Sequence, residues 1–182
     1  NHEWEKPTST VLDYFGLMDI TLVGLSMGGY LALRAGAFDE RIARIVAFDV
    51  TPYDLHGSGL QGAMYRWLVK NPSVYNRIAN FSMRVSGQAN QLINQWMYIT
   101  GANTPAEWNK ELQSYSVSDV AERVTQDVLL MAGEKDQVVP IKEYYNNLNG
   151  LPNARSVTGR IFTTTENAEH HCQVGNIKLA LD

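Results

Sequence analysis

A strand-length apolar run meets a helix-like pattern across a short glycine-rich turn, and this junction constrains the fold more than any other stretch. The run is DITLVGL (19–25), and the turn places Ser26 between Gly24 and Gly28. A near-continuous apolar run with β-branched residues is typical of a strand buried on both faces of a parallel sheet. The junction therefore predicts a strand over 19–25, a sharp turn at Ser26 and a helix over 28–38.

Other strand-like segments recur along the chain and alternate with helical periodicity. They predict strands over 41–49, 127–133 and 154–165, and helices over 141–148 and 174–182. An amphipathic helix is predicted near the start, with Val11, Leu12, Tyr14 and Phe15 on its apolar side. Strands that alternate with helices imply parallel pairing through crossover connections. The fold class is therefore α/β, with a mostly parallel sheet flanked by helices.

The segment 52–118 is too long for a loop inside a compact domain. Apolar residues recur along it at helical spacing, in three stripes: Leu60, Met64, Trp67 and Leu68; Leu92, Ile93, Trp96 and Met97; Trp108, Leu112 and Tyr115. Most of these side chains fit an ordinary core. A helical insertion beside the carboxyl ends of parallel strands is also where α/β proteins place substrate pockets. We therefore divide the chain into a core, 1–51 and 119–182, and a helical cap or lid, 52–118.

The pentapeptide GLSMG matches G-x-S-x-G, with Gly24, Ser26 and Gly28 at the fixed positions. Between a strand and a helix, this motif places a nucleophilic serine on a strained turn. The two glycines leave room at the positions where side chains would collide, and the backbone N–H of Met27 would point at a developing oxyanion. The alternative is a glycine-rich turn without chemistry.

A serine hydroxyl needs a histidine to accept its proton and a carboxylate to orient that histidine. Asp136 lies just beyond the strand 127–133, and Asp49, at the end of the preceding strand, is the alternative acid. His170 and His171 follow the last strand, and because they are adjacent, only one of them can face the serine.

These segments, GLSMGG, GEKDQVVP and AEHHCQVGN, resemble the α/β-hydrolase superfamily. They are most similar to the branch of the FrsA-like esterases and the dihydroxypseudooxynicotine hydrolase. The resemblance implies Ser26 as nucleophile, His171 as base, Asp136 as its orienting acid and Met27 as one oxyanion donor. It implies cleavage of an ester, a thioester or an activated carbon–carbon bond next to a carbonyl in a small-molecule substrate.

Members of this superfamily place several strands, and a loop with a second oxyanion N–H, before the serine. None of these precedes Asn1, so we expect the chain to be a fragment of an enzyme that is not a competent catalyst alone. We also expect the strand 19–25, an apolar strand with only later strands to pair with here, to be covered at its other edge by upstream strands.

Composition excludes several other classes of protein. The net charge of −4 and the lack of a basic run argue against a nucleic-acid partner. The apolar runs are too short to span a membrane. The single cysteine excludes an internal disulfide and fits a cytoplasmic location. No G-x-x-x-x-G-K-[ST] or H-E-x-x-H motif is present, so neither a phosphate loop nor a zinc site is predicted, and we expect no cofactor or metal. A homodimer and a non-catalytic binding module of the same fold stay open as alternatives.

Overall fold

A computed structural model describes residues 3–50, 53 and 59–182, without the side chain of residue 61. Its sheet has four parallel strands in the order of the chain: β1 (Ile20–Leu25), β2 (Ile42–Phe48), β3 (Asp127–Gly133) and β4 (Ser156–Phe162). The register pairs Leu25 with Phe48 and Phe48 with Met131. The carboxyl ends of the strands therefore meet at one edge, where the loops after them come together.

Helices connect the strands and fill the insertion. They are α1 (Glu5–Phe15), α2 (Met27–Phe38), α3 (Gly59–Val69), α4 (Pro72–Val85), α5 (Gly87–Thr100), α6 (Pro105–Leu112), α7 (Ile141–Asn149) and α8 (Ile177–Leu181). The sequence reasoning missed α4. It also placed the start of α8 too early. A tight turn over His171–Gln173 comes before that helix, and so does Gly175, whose φ is +115°.

The middle of the sheet is buried on both faces. On one face Ile45 and Ala47 of β2 lie against α2 at its small residues Gly29 and Gly36. On the other face Phe48 packs in one cluster with side chains of β3, β4 and α8: Met131, Phe162 and Ala180, together with Ala168. This two-sided burial explains why β2 and β3 read as nearly continuous apolar runs.

The chain divides into two compact units, Leu55–Tyr115 and a unit formed by His2–Asp54 with Ser116–Asp182. The first contains α3 to α6, and the second contains the sheet with α1, α2, α7 and α8. All the side chains singled out as catalytic candidates lie in the second unit.

Strand β1 lies at the edge of the sheet. Within the described residues it pairs with β2 only, and Val23 and Leu25 are exposed. It is therefore less buried than its apolar sequence indicates, and pairing of its outer edge with another strand stays a prediction.

Across the part of the chain that the structure describes, no helix combines the length and apolar character that crossing a membrane requires.

Candidate active site

Ser26 occupies the sharp turn between β1 and α2. Its backbone has φ 55° and ψ −121°, a strained conformation for a residue other than glycine, and its N–H donates to the carbonyl of Phe48 (2.8 Å). Ser26 is the N-cap of α2, yet its hydroxyl makes no capping bond to the helix. The hydroxyl is therefore available to another partner.

The space around the two motif glycines, Gly24 and Gly28, differs. A Cβ at Gly24 would lie 2.0 Å from the carbonyl oxygen of Gly28, so the turn closes only if residue 24 has no side chain. A Cβ at Gly28 would meet nothing within 4 Å among the described residues. The predicted steric reason is thus confirmed at Gly24 and wrong at Gly28.

Asp136 lies in the loop after β3, and both oxygens of its carboxylate accept hydrogen bonds. Its Oδ1 accepts hydrogen bonds from the backbone N–H groups of Val138 (2.6 Å) and Val139 (2.9 Å). Its Oδ2 lies 2.7 Å from Nδ1 of His171. The loop backbone therefore holds one oxygen and aims the other at the histidine.

His171 joins the two other side chains. Its Nδ1–H donates to Asp136, and its Nε2 lies 2.8 Å from Oγ of Ser26. Because the carboxylate can only accept, it selects the tautomer in which Nε2 is free to take the serine proton. The structure thus brings together three side chains that are 35 and 145 residues apart along the chain.

The ionisation of these groups is coupled. The hydrogen bond that His171 donates to Asp136, followed by contact with Cys172, raises the pKa of His171 above its usual range, although burial opposes this. Burial disfavours the ionised form of Asp136, but the hydrogen bonds from His171, Val139 and Val138 outweigh burial and lower its pKa. The pair therefore favours an imidazolium beside a carboxylate, the charge state that follows proton transfer from the serine.

The alternative residues lie elsewhere. The side chain of His170 is 53 % exposed, against 16 % for His171, and its Nε2 lies 3.7 Å from Glu169 rather than near Ser26. Asp49 is 2 % exposed and accepts hydrogen bonds from the N–H groups of Gly133 and Cys172 and from the side chain of Gln173. No hydrogen bond joins Asp49 to His171 among the described residues, so Asp136 is the acid that contacts the histidine.

Gln173 is a residue that the sequence reasoning missed. It is fully buried and donates from Nε2 to Asp49 (3.0 Å). Its segment, AEHHCQVGN, is among those that carry the resemblance to α/β hydrolases, but its burial is what reveals a role in the site.

Met27 begins α2, and in a helix the first N–H groups have no partner within the helix. Its backbone N–H follows the serine directly, at the end of the helix dipole that favours negative charge. The described residues thus offer one donor of the kind that an oxyanion hole requires.

One group of potential metal ligands lies close together among the described residues: atoms of Asp49, His171 and Cys172 within 4.8 Å of one another. Both ring nitrogens of His171 already contact Ser26 and Asp136, and the Asp49 oxygens already accept N–H groups. The arrangement therefore suits hydrogen bonding and proton transfer better than metal coordination.

Comparison with solved structures that have the same arrangement of helices and strands identifies the fold. GrgF, an alpha/beta hydrolase from Penicillium sp. sh18, superposes with a TM-score of 0.63 over 97 % of this chain and 67 % of its own, at 16 % identity. This chain has the α/β-hydrolase fold. The 2,6-dihydroxy-pseudo-oxynicotine hydrolase superposes with a TM-score of 0.61 over 88 % of this chain and 39 % of its own, at 20 % identity.

The similarity extends to curated proteins that are named as hydrolases. Hydrolase LUC6 of a Fusarium species is 28 % identical over 142 residues, which are 64 % of this chain and 31 % of that protein. The chain thus spans about a third of the length of the curated relatives that it matches. No family model matches the chain. These comparisons confirm the predicted fold class and the resemblance to α/β hydrolases.

Proposed function

We propose that the protein is a serine hydrolase that cleaves an ester or thioester of a small molecule through an acyl-enzyme. The observation that carries the proposal is the continuous chain of hydrogen bonds from Asp136 through His171 to Ser26. The names of the curated relatives and the fold support it, since such proteins are hydrolases.

In the proposed reaction each group has one step. Oγ of Ser26 attacks the carbonyl carbon while Nε2 of His171 takes its proton, and the negative charge that develops on the carbonyl oxygen faces the N–H of Met27. The intermediate collapses, and the leaving alkoxide or thiolate departs with the proton from His171. Water, deprotonated by the same nitrogen, then attacks the acyl group and releases the acid and free Ser26. Asp136 stabilises the imidazolium in both halves.

The test is covalent labelling of the intact protein with a fluorophosphonate, which reacts with activated serines. Ser26→Ala should abolish labelling, and Ser156→Ala should leave the rate unchanged, because the Ser156 hydroxyl is exposed and donates to Asp127. Turnover is then measured on an ester, a thioester and a β-diketone, since the same three groups activate attack on each carbonyl. Labelling of Ser26→Ala at the wild-type rate would refute the assignment.

We also propose that the segment 52–118 is a cap that sets substrate choice. Its helix α3 leaves Leu60, Met64 and Trp67 exposed at helical spacing, an apolar stripe suited to contact with an acyl chain. Trp67→Ala should raise KM for long acyl chains more than for short ones. Trp4→Ala is a matched control, since Trp4 is 46 % exposed, Trp67 is 54 % exposed, and Trp4 lies in the other unit. An unchanged acyl preference in Trp67→Ala would contradict a role of this stripe.

A further inference from the structure

The carboxylate of Asp49 joins the two loops that carry the proposed acid and base. Oδ1 accepts the backbone N–H of Gly133 (3.0 Å), the last residue of β3, three residues before Asp136. Oδ2 accepts the backbone N–H of Cys172 (2.6 Å), the residue directly after His171, and Nε2 of Gln173 (3.0 Å). One side chain therefore binds both the end of β3 and the loop that carries His171.

The loop after His171 has a conformation that needs such support. Cys172 and Gln173 have φ values of 51° and 52°, in the left-handed region that side chains other than glycine rarely adopt. Two consecutive residues of this kind cost free energy, and they persist only where surrounding contacts hold them. Both bonds of this segment to Asp49 Oδ2 come from these two residues.

Burying the carboxylate of Asp49 costs free energy that an apolar side chain of similar size would not cost. Asp49 is 2 % exposed, and no ion pair joins it to a cation among the described residues. Burying a carboxylate in such a place is unfavourable unless its hydrogen bonds compensate. An apolar side chain could fill the volume without that cost but could not accept three N–H groups.

We infer that Asp49 is a positioning residue for the proposed triad: its carboxylate holds the backbone after His171 against the end of β3 and so aligns Nε2 with Ser26. The inference rests on the proposed function and deepens it. Asp49 does not contact the substrate or replace Asp136. It acts through the backbone of Gly133 and Cys172 and the side chain of Gln173.

The ionised form is the one that can do this. A carboxylate accepts at both oxygens, whereas a carboxylic acid or an amide presents a donor on one side, where an N–H already points. Burial, together with the neighbouring Asp136 carboxylate, raises the pKa of Asp49 to about 6. The other titratable groups around it are His171 and Cys172 on the histidine loop and Tyr144 of α7, which lines the same small cavity.

The test compares Asp49→Asn with Asp39→Asn in the intact protein. Asp39 is the matched control, because it is also a buried carboxylate that accepts several hydrogen bonds, from Ser9 and Arg41, and it lies at the opposite end of α2 from Ser26. We expect fluorophosphonate labelling of Ser26 to slow by about 10- to 100-fold in Asp49→Asn, the effect of a misplaced catalytic group. Asp39→Asn should label at the wild-type rate.

A second readout separates positioning from general destabilisation. The Nδ1–H proton that His171 shares with Asp136 should give a downfield NMR signal, which needs no reaction at Ser26. In Asp49→Asn this signal should shift and broaden at a pH where wild type and Asp39→Asn show it sharp. The labelling rate of wild type should also fall at acid pH with an ionisation near pH 6, which we assign to Asp49. In Asp49→Asn this ionisation should be absent from the pH profile.

The outcomes are distinct. If wild type itself does not label at Ser26, the proposed function fails. The NMR signal of His171 then tests the positioning role of Asp49 by itself. If Asp49→Asn labels like wild type with an unchanged signal, the positioning role is overturned. If Asp49→Asn does not fold, Gln173→Met decides, because it removes one of the bonds to Oδ2 at similar volume. It should slow labelling about 5-fold, and a wild-type rate would overturn the inference.

Discussion

Alanine at the first motif glycine should damage the elbow, and alanine at the second should not. In Gly24→Ala the new Cβ would lie 2.0 Å from the carbonyl oxygen of Gly28 and 2.8 Å from the nitrogen of Gly29. Ordinary contacts begin at 3.4 Å, so β1 and the start of α2 must separate by about 1.4 Å. Both contacts are backbone, which cannot rotate away as a side chain can.

The cost should be that of overpacking, about 1 to 3 kcal/mol in the free energy of unfolding. The same displacement moves Ser26 relative to His171, so labelling should fall about 100-fold. In Gly28→Ala the Cβ meets nothing within 4 Å in the described part of the chain, and a helical glycine replaced by alanine should gain about 0.5 to 1 kcal/mol.

Urea denaturation and the labelling rate of Ser26 are measured for both variants of the intact protein. Equal stability and labelling of Gly24→Ala and wild type would refute the steric reasoning. So would a loss of stability in Gly28→Ala as large as that in Gly24→Ala.

Three other predictions concern the acid, a structural carboxylate and the sheet edge. Asp136→Asn should lower the pKa of His171, followed by NMR titration, and slow turnover by up to about 10⁴-fold; an unchanged pKa would contradict the pairing. Arg41, and then Ser9, hold the pKa of Asp39 well below its usual range, so its stabilisation is present above about pH 4 and is lost as the pH falls further. Asp39→Asn should therefore cost about 1.5 to 3 kcal/mol at pH 7 and about 1 kcal/mol less at pH 3 in urea denaturation, and an equal cost at both would be inconsistent with this. Amides of residues 20–25 should exchange slowly in the intact protein if another strand pairs with β1, and fast exchange of half of them would argue against such a strand.

The sequence predicts the sheet and the three proposed catalytic side chains because both follow from local pattern and order. Apolar runs mark β1 to β3, alternation with the helices adds β4, and parallel strands bring their carboxyl ends to one edge. Ser26, Asp136 and His171 each follow a strand end, so the fold brings them together whatever the details of the loops.

Other features depend on contacts that no local pattern shows. Helix α4, by contrast, is predictable from the sequence, because Ile78, Phe81 and Val85 recur at helical spacing. The bonds of Asp49 join it to residues 84, 123 and 124 positions away, and the sequence identified it only as an alternative acid.

The central claim is that Ser26 carries the acyl group during turnover. The most direct measurement is peptide mass spectrometry of the intact protein after mixing with an activated ester and acid quenching within the first turnover. We expect the acyl mass on the peptide that contains Ser26. It should accumulate when His171→Ala slows deacylation more than acylation, and it should be absent in Ser26→Ala. An acyl group found on any other residue of a turning-over wild-type enzyme, with Ser26 unmodified, would contradict the account.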